Sequence, residues 1–230
     1  HLHANWTRWG NRLLTSPAAT FTAALGDTRN PIASVPTVHM YGDAFRDPPK
    51  LTKHYTAGLG GFCEGDYWHY TLDPADADVL DITKLEMLTF PTNMIQFHHR
   101  LPQQSLLNGS AAQVALHGDG LASVLNLQKA RPNSQTGSRK RIKNAEMRVI
   151  LDMCLNLPQV KAHIGELMVA HTYGLGNAGD APSRNETDRV LSLCAALNIR
   201  PRQLKVNLSV VAFVKQAAEQ IRTLSLRERQ

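Results

Sequence analysis

The chain is short of acids. Asp and Glu number 19 against 25 Lys and Arg, and no acidic residue precedes Asp27. The formal net charge of +6 therefore comes from missing carboxylates, with an ordinary share of cations. A dedicated nucleic-acid protein more often carries extra Lys and Arg clustered on one face, so the charge lowers that reading without removing it. Cysteine is scarce too. Cys63, Cys154 and Cys194 are odd in number, widely spaced and without a C-x-x-C pair, from which neither a disulfide framework nor a zinc knuckle follows. They read as small buried hydrophobes in a reducing compartment or an organelle matrix. Aromatics are 6% of the chain, so its core is built from Leu, Val, Ile, Ala and Met. Long apolar runs are absent. VVAFV at 210–214 falls far below the ~18 residues a membrane span needs.

Familiar catalytic signatures are missing as well. The chain has no G-x-S-x-G, no H-E-x-x-H and no P-loop lysine motif. The sequence-based expectation is a protein that is not an enzyme and carries no cofactor.

What is present begins with HLHANWTRWGNRLL. The start lacks a methionine, and the first 26 residues combine Arg8 and Arg12 with Ser and Thr and no acid. That bias resembles an organellar transit region whose front part has been removed. Trp6, Trp9 and Leu13 fall on one face of a helix, away from Arg8 and Arg12, and read as a docking surface. His1 and His3 are candidate metal ligands, through the terminal amine and two imidazoles. The chain holds ten histidines, which leaves a histidine-metal enzyme as one alternative.

Residues 27–102 are rich in Pro and Gly, with prolines at 31, 36, 48 and 49 and the cluster 58-GLGG-61. They predict an irregular segment with two short strands, Thr37–Tyr41 and Tyr67–Leu72. Asp73 and Pro74 open a helix over 73–88, and 90–102 is ambiguous between strand and short helix. Residues 103–230 read as a helical domain. Its predicted helices span 103–130 (broken at Asn108-Gly109 and 118-GDG-120), 145–157, a segment from Pro158 with Val160, Ile164, Leu167, Met168 and His171 on one face, a segment after the capping box Ser183-x-x-Glu186, and 207–224. The predicted fold is mainly α with a small irregular/β N-terminal part and a helical C-terminal half, α+β being the alternative. The predicted organisation is an arm over 1–26, the irregular segment over 27–102 and a helical domain over 103–230.

Two further patterns bear on function. Gly174-Leu-Gly176-Asn-Ala-Gly179 satisfies G-x-G-x-x-G, and LMVAHTY could be the strand before it. Asp180-Ala-Pro182-Ser183, however, separates the last glycine from the next helix, and no acid follows at ribose distance. A helix–helix loop is the plainer reading. Lys129, Arg131, Arg139, Lys140, Arg141, Lys143 and Arg148 stand within twenty residues against Glu146 alone. This segment suits an anionic partner such as RNA, lipid head groups or an acidic protein. Together these features predict a non-catalytic accessory subunit of a large organellar assembly, mitochondrial, in a respiratory or ATP synthase complex. The partners are then other subunits, and a ribosomal or other RNA-binding protein is the alternative.

Overall fold

The computed structural model describes residues 37–49, 53–102, 113–130, 142, 144–164, 167–173 and 176–227. Its frame is one six-stranded mixed sheet. The strands are β1 (Thr37–Asp47), β2 (Thr56–Cys63), β3 (Asp66–Thr71), β4 (Gln113–Gly118), β5 (Leu167–His171) and the two-residue β6 (Arg202–Gln203). They lie in the order β5-β4-β1-β2-β3-β6. β1, β2 and β3 form an antiparallel meander, whereas β4 runs parallel to β1 and β5 parallel to β4. Eight helices accompany the sheet among the described residues: α1 (Pro74–Val79), α2 (Ile82–Gln96), α3 (Leu121–Ala130), α4 (Ala145–Asn156), α5 (Pro158–His163), α6 (Asp180–Ser183), α7 (Thr187–Ala196) and α8 (Leu208–Arg227).

This is an α/β fold, and the expectation of a mainly helical chain is overturned. The strand predicted at Thr37–Tyr41 lies inside β1, the one predicted at Tyr67–Leu72 overlaps β3 but runs one residue past it, and helices at 145–156 and 208–227 match their predictions closely. The error lies in the interior strands. QVALHG (β4) and LMVAH (β5) are short apolar runs, and a strand covered on both faces loses the period-2 alternation that would identify it. β4 therefore replaces part of the helix expected over 103–130, and β5 replaces the end of the one expected from Pro158. β2, TAGLGGFC, was read as irregular because of its glycines. It is buried over seven of eight residues, and those glycines are what its neighbours require.

The β2–β3 connection is the two-residue turn Glu64-Gly65, with φ of 49° and 91°. Positive φ at both central positions is the type I′ pattern, whose twist suits a tight hairpin. α2 packs across the larger face of the sheet. Its cap is Asp81, whose side chain accepts from the Lys84 amide at 3.0 Å. It runs through Pro91, at the cost of one intrahelical bond, and so joins the end of the helix expected over 73–88 to the ambiguous segment 90–102. Twelve of its fifteen residues are buried. Gly42 and Gly61 admit it closely: a Cβ on either would collide with Asn93. Asn93 in turn accepts from Trp68 Nε1 at 2.8 Å and donates to the Tyr41 carbonyl at 3.2 Å. The main core gathers Met40, Leu59, Trp68, Leu88, Phe97 and Leu116 with side chains of α4 and α8. A smaller cluster on the opposite face joins Phe62, Tyr67, Ala178, Ala181, Val190, Leu193 and Cys194 under α6 and α7.

Candidate functional site

β1 and β4 are adjacent and parallel, paired from Thr37 with Gln113 to Tyr41 with His117, so β4 ends beside the middle of β1. In open α/β sheets ligands bind outside the C-terminal ends of parallel strands. β1, which runs on to Asp47, carries Asp43 beside the end of β4. β4 ends at Gly118, and Asp119 follows directly. Three glycines allow close approaches here, and two of them bring further carboxylates in. A Cβ on Gly120 would clash with the Glu86 carboxylate, so its absence lets Glu86 reach from α2 to the turn after β4. A Cβ on Gly118 would stand 2.8 Å from Phe90 Cζ. A Cβ on Gly179 would stand 2.8 Å from the Gly42 carbonyl carbon and 2.9 Å from the Asp43 amide nitrogen. That contact sets Asp180, the first residue of α6, beside Asp43. Buried Asn177 completes the junction: it donates to the Gly42 carbonyl at 2.9 Å and accepts from the Gly179 amide at 3.0 Å.

Asp43, Glu86 and Asp119 line one shallow depression with Gly42, Thr89, Phe90, Gly118 and Gly120, too tight to admit a water-sized sphere. Asp43 is almost fully buried, and the other three carboxylates are half-buried. The Asp43 carboxyl is pushed up to about 8, first by burial and then by the charge and hydrogen bond of Asp119. Glu86 is pushed up to about 7 by burial and by the charges of Asp119 and Asp81. Around neutral pH the pocket thus holds acidic groups that resist ionising together. Asp43 also accepts from the Ser183 hydroxyl at 2.9 Å. Asp180 is engaged by Arg184 at 3.2 Å and Arg189 at 2.8 Å. His171 Nε2 donates to the Asp119 carbonyl at 2.9 Å.

Among the described residues, no group of three or more His, Cys, Asp or Glu side chains is placed to hold a metal ion. The carboxyls bind one another and arginine, contacts that a cation would have to displace. The donor set is nonetheless all oxygen, the type that suits Mg²⁺ or Mn²⁺.

The site residues expected from sequence lie elsewhere. His1, His3, Trp6, Trp9, Leu13, Arg131, Arg139, Lys140, Arg141 and Lys143 fall outside the described residues. Lys129 is on α3, and Arg148 is exposed on α4. The described histidines serve several local contacts. His39 Nδ1 and His117 Nε2 share a hydrogen bond at 2.9 Å. Tyr41 stacks on His117 at 4.5 Å, and burial pushes His117 down to about 4. The G-x-G-x-x-G stretch follows β5, as considered, and enters α6 at Asp180. Ser183 is not the cap of the next helix: α7 begins at Thr187 with Glu186 before it, and Ser183 closes α6.

The sequence reading passed over the four carboxylates. One signal was available, since three of them stand next to a glycine, in 42-GDA-44, 118-GDG-120 and 179-GDA-181. Two other Gly-Asp pairs, 26–27 and 65–66, blur it.

No protein-family model matches the chain, and no curated protein matches it. Among the described residues, no helix is long and apolar enough to cross a membrane.

Proposed function

We propose that the chain is a divalent-cation-dependent nuclease that hydrolyses phosphodiester bonds. The observation that carries this reading is the convergence of Asp43, Glu86 and Asp119, with Asp180 adjoining, where β4 ends beside the middle of β1. Carboxylates crowded until two of them resist ionisation gain most from a bound cation, which relieves their repulsion. A divalent cation, if bound by these carboxylates, would supply an activated water and neutralise charge on a phosphoryl group. The residues then have distinct tasks. Asp43, set against Asp119, would be one of the residues that hold the cation. Glu86 and Asp180 flank it from α2 and α6. In the reaction, water oxygen forms a bond to phosphorus, one P–O ester bond breaks, and the leaving alkoxide takes a proton. The excess of cations over acids, concentrated at 129–148, favours a polyanionic substrate. The RNA-binding alternative read from that segment is compatible with this proposal.

The test is cleavage of end-labelled RNA and DNA strands with Mg²⁺ or Mn²⁺ and with EDTA. Asp43→Asn and Asp119→Asn are expected to lower cleavage at least ~100-fold, at or beyond the upper range for residues that merely support a metal ligand. Metal-independent hydrolysis with an acid optimum would instead indicate a proton-sharing carboxyl pair. A chain that neither cleaves nor binds a divalent cation returns the reading to a non-catalytic subunit, which rested on the lack of a recognisable motif.

A further inference from the structure

We propose that the segment 1–14 docks through Trp6, Trp9 and Leu13 onto a part of the sheet that no described helix covers, where His39 and Tyr41 of β1, Ala115 and His117 of β4, and Met168 and Ala170 of β5 share one face. This docking is independent of the nuclease reading. Successive side chains of a strand point to opposite faces. Leu116, Leu167 and Val169 face Phe90 of α2 and Leu127 of α3. The residues between them point the other way, and strand pairing sets them in rows. His39 stands beside Ala115 and Ala115 beside Met168; then Tyr41 stands beside His117 and His117 beside Ala170. On that side α6 and α7 lie over β1, β2 and β3, and Tyr41 marks their limit by packing against the cluster around Phe62. Among the described residues no helix packs on that face of β4 and β5. Met168 is accordingly 46% exposed, while small Ala115 lies low between its larger neighbours.

The patch is uncharged at neutral pH. Burial holds both imidazoles below their ordinary value, His117 at about 4. His117 Nε2 meets His39 Nδ1 at 2.9 Å, and its Nδ1 meets Thr172 Oγ1 at 3.2 Å, so both of its ring nitrogens are matched within the sheet. What is left to cover is apolar and aromatic. Three strands about 4.8 Å apart and two rows of side chains make a patch of roughly 150–200 Å². A stable protein–protein interface needs about 800 Å² per partner, which argues against a second copy of the chain. A ten-residue helix, about 15 Å long and 10 Å wide, has the matching footprint. Of the segments outside the described residues, only 1–36 contains aromatic side chains. It enters the sheet at Thr37, one row before His39. Leu13 and Thr37 are 24 positions apart, enough chain to span up to about 80 Å, so the stripe reaches the patch easily. Charge agrees. The rows run on past Tyr41 and His117 to Asp43 and Asp119, and Glu64 acts on His39 from the other end. A segment with Arg8, Arg12 and no acid before Asp27 suits a patch rimmed by carboxylates.

The test replaces Met168 by photoreactive benzoylphenylalanine in the full chain. Light and isotopically heavy chains are mixed before irradiation, and the cross-linked peptides are mapped by mass spectrometry. Cross-links from position 168 to residues 1–14 of the same chain are expected. Products only between light and heavy chains indicate a second copy and overturn the docking, as does the absence of any product within 1–14. The same replacement at Leu191, exposed on α7, is the control, and an equal yield from it overturns the docking because the contact is then not specific to the patch. A second measurement leaves the sheet untouched: hydrogen exchange of β4 and β5 in a Trp6→Ala/Trp9→Ala chain. With the patch uncovered, exchange there is expected to be at least about 5-fold faster than in wild type. Equal rates overturn the docking, and this measurement decides should the cross-linker at 168 prevent folding.

Discussion

Asp66 and Asp43 stand on β3 and β1 of one sheet, 2% and 4% exposed, and their carboxyls are driven in opposite directions. Burial alone would raise both. At Asp66 it is outweighed by Arg202, His99 and Arg100, which hold the carboxyl down to about 2. Arg202 reaches it through two nitrogens at 2.7 and 2.6 Å, and Arg100 Nε at 3.0 Å. At Asp43 nothing cationic compensates: burial is joined by Asp119, and the carboxyl rises to about 8. The first arrangement ties β3 to β6 and to the turn at His98–Arg100. The second stores unfavourable charge at a pocket. A buried carboxylate already matched has no use for a further cation, whereas one set against other carboxylates is where a cation gains most.

Removing the matched carboxylate should have the largest effect on stability. Asp66→Asn strands two guanidiniums beside a neutral amide, and a loss of about 2–3 kcal/mol is expected in urea unfolding near neutral pH. That is below the full figure for breaking a buried pair, because both arginines keep contact with water. The sign with pH follows from the depressed value. Asp66 stabilises the fold above the ordinary carboxyl value near 3.8, and this contribution fades as pH falls towards 2. The difference between wild type and Asp66→Asn should shrink over that window.

Asp43→Asn should do the reverse. With a folded-state value near 8 against an ordinary 3.8, Asp43 favours folding at low pH, and this stability is lost as pH rises towards 8. The asparagine protein should be more stable than wild type at pH 8, by roughly 2 kcal/mol, and no more stable at pH 4. A loss at pH 8 would mean that Asp43, like Asp66, is matched in the folded chain.

Divalent cation separates the two positions further. Mg²⁺ at 10–100 times its dissociation constant should stabilise wild type by about 1.4–2.7 kcal/mol. Asp66→Asn should respond equally and Asp43→Asn should not, as read by thermal unfolding with and without EDTA. The smallest effect is expected at Arg184, exposed and pairing with Asp180 one turn away. Arg184→Gln should change stability by no more than about 0.5 kcal/mol.

Much of the fold's edge was legible in the sequence. The amphipathic periods at 145–157 and 207–224 announced α4 and α8. The Asp73-Pro74 start announced α1, where Pro74 occupies the first turn although the Asp73 side chain makes no cap bond. The sheet's interior was not legible. β4 and β5 are too short and too uniformly apolar to differ locally from buried helix, and β2 is rich in the residue that strand propensity disfavours. The carboxylate site was hidden for a related reason. Asp43, Glu86, Asp119 and Asp180 spread over 138 positions, at spacings no local motif encodes.

By itself the sequence determined charge, the absence of an apolar membrane-length run and the periodic helices, because these are properties of composition and of neighbours along the chain. Only the tertiary structure decided which Gly-Asp pair does what. Gly65-Asp66 became a turn and a matched ion cluster because β6 and the His98–Arg100 turn bring arginines to it. The pairs at 42–43, 118–119 and 179–180 became a candidate reaction centre because strand pairing of β1 with β4 and the close approach of Gly179 to Gly42 set their carboxyls against one another.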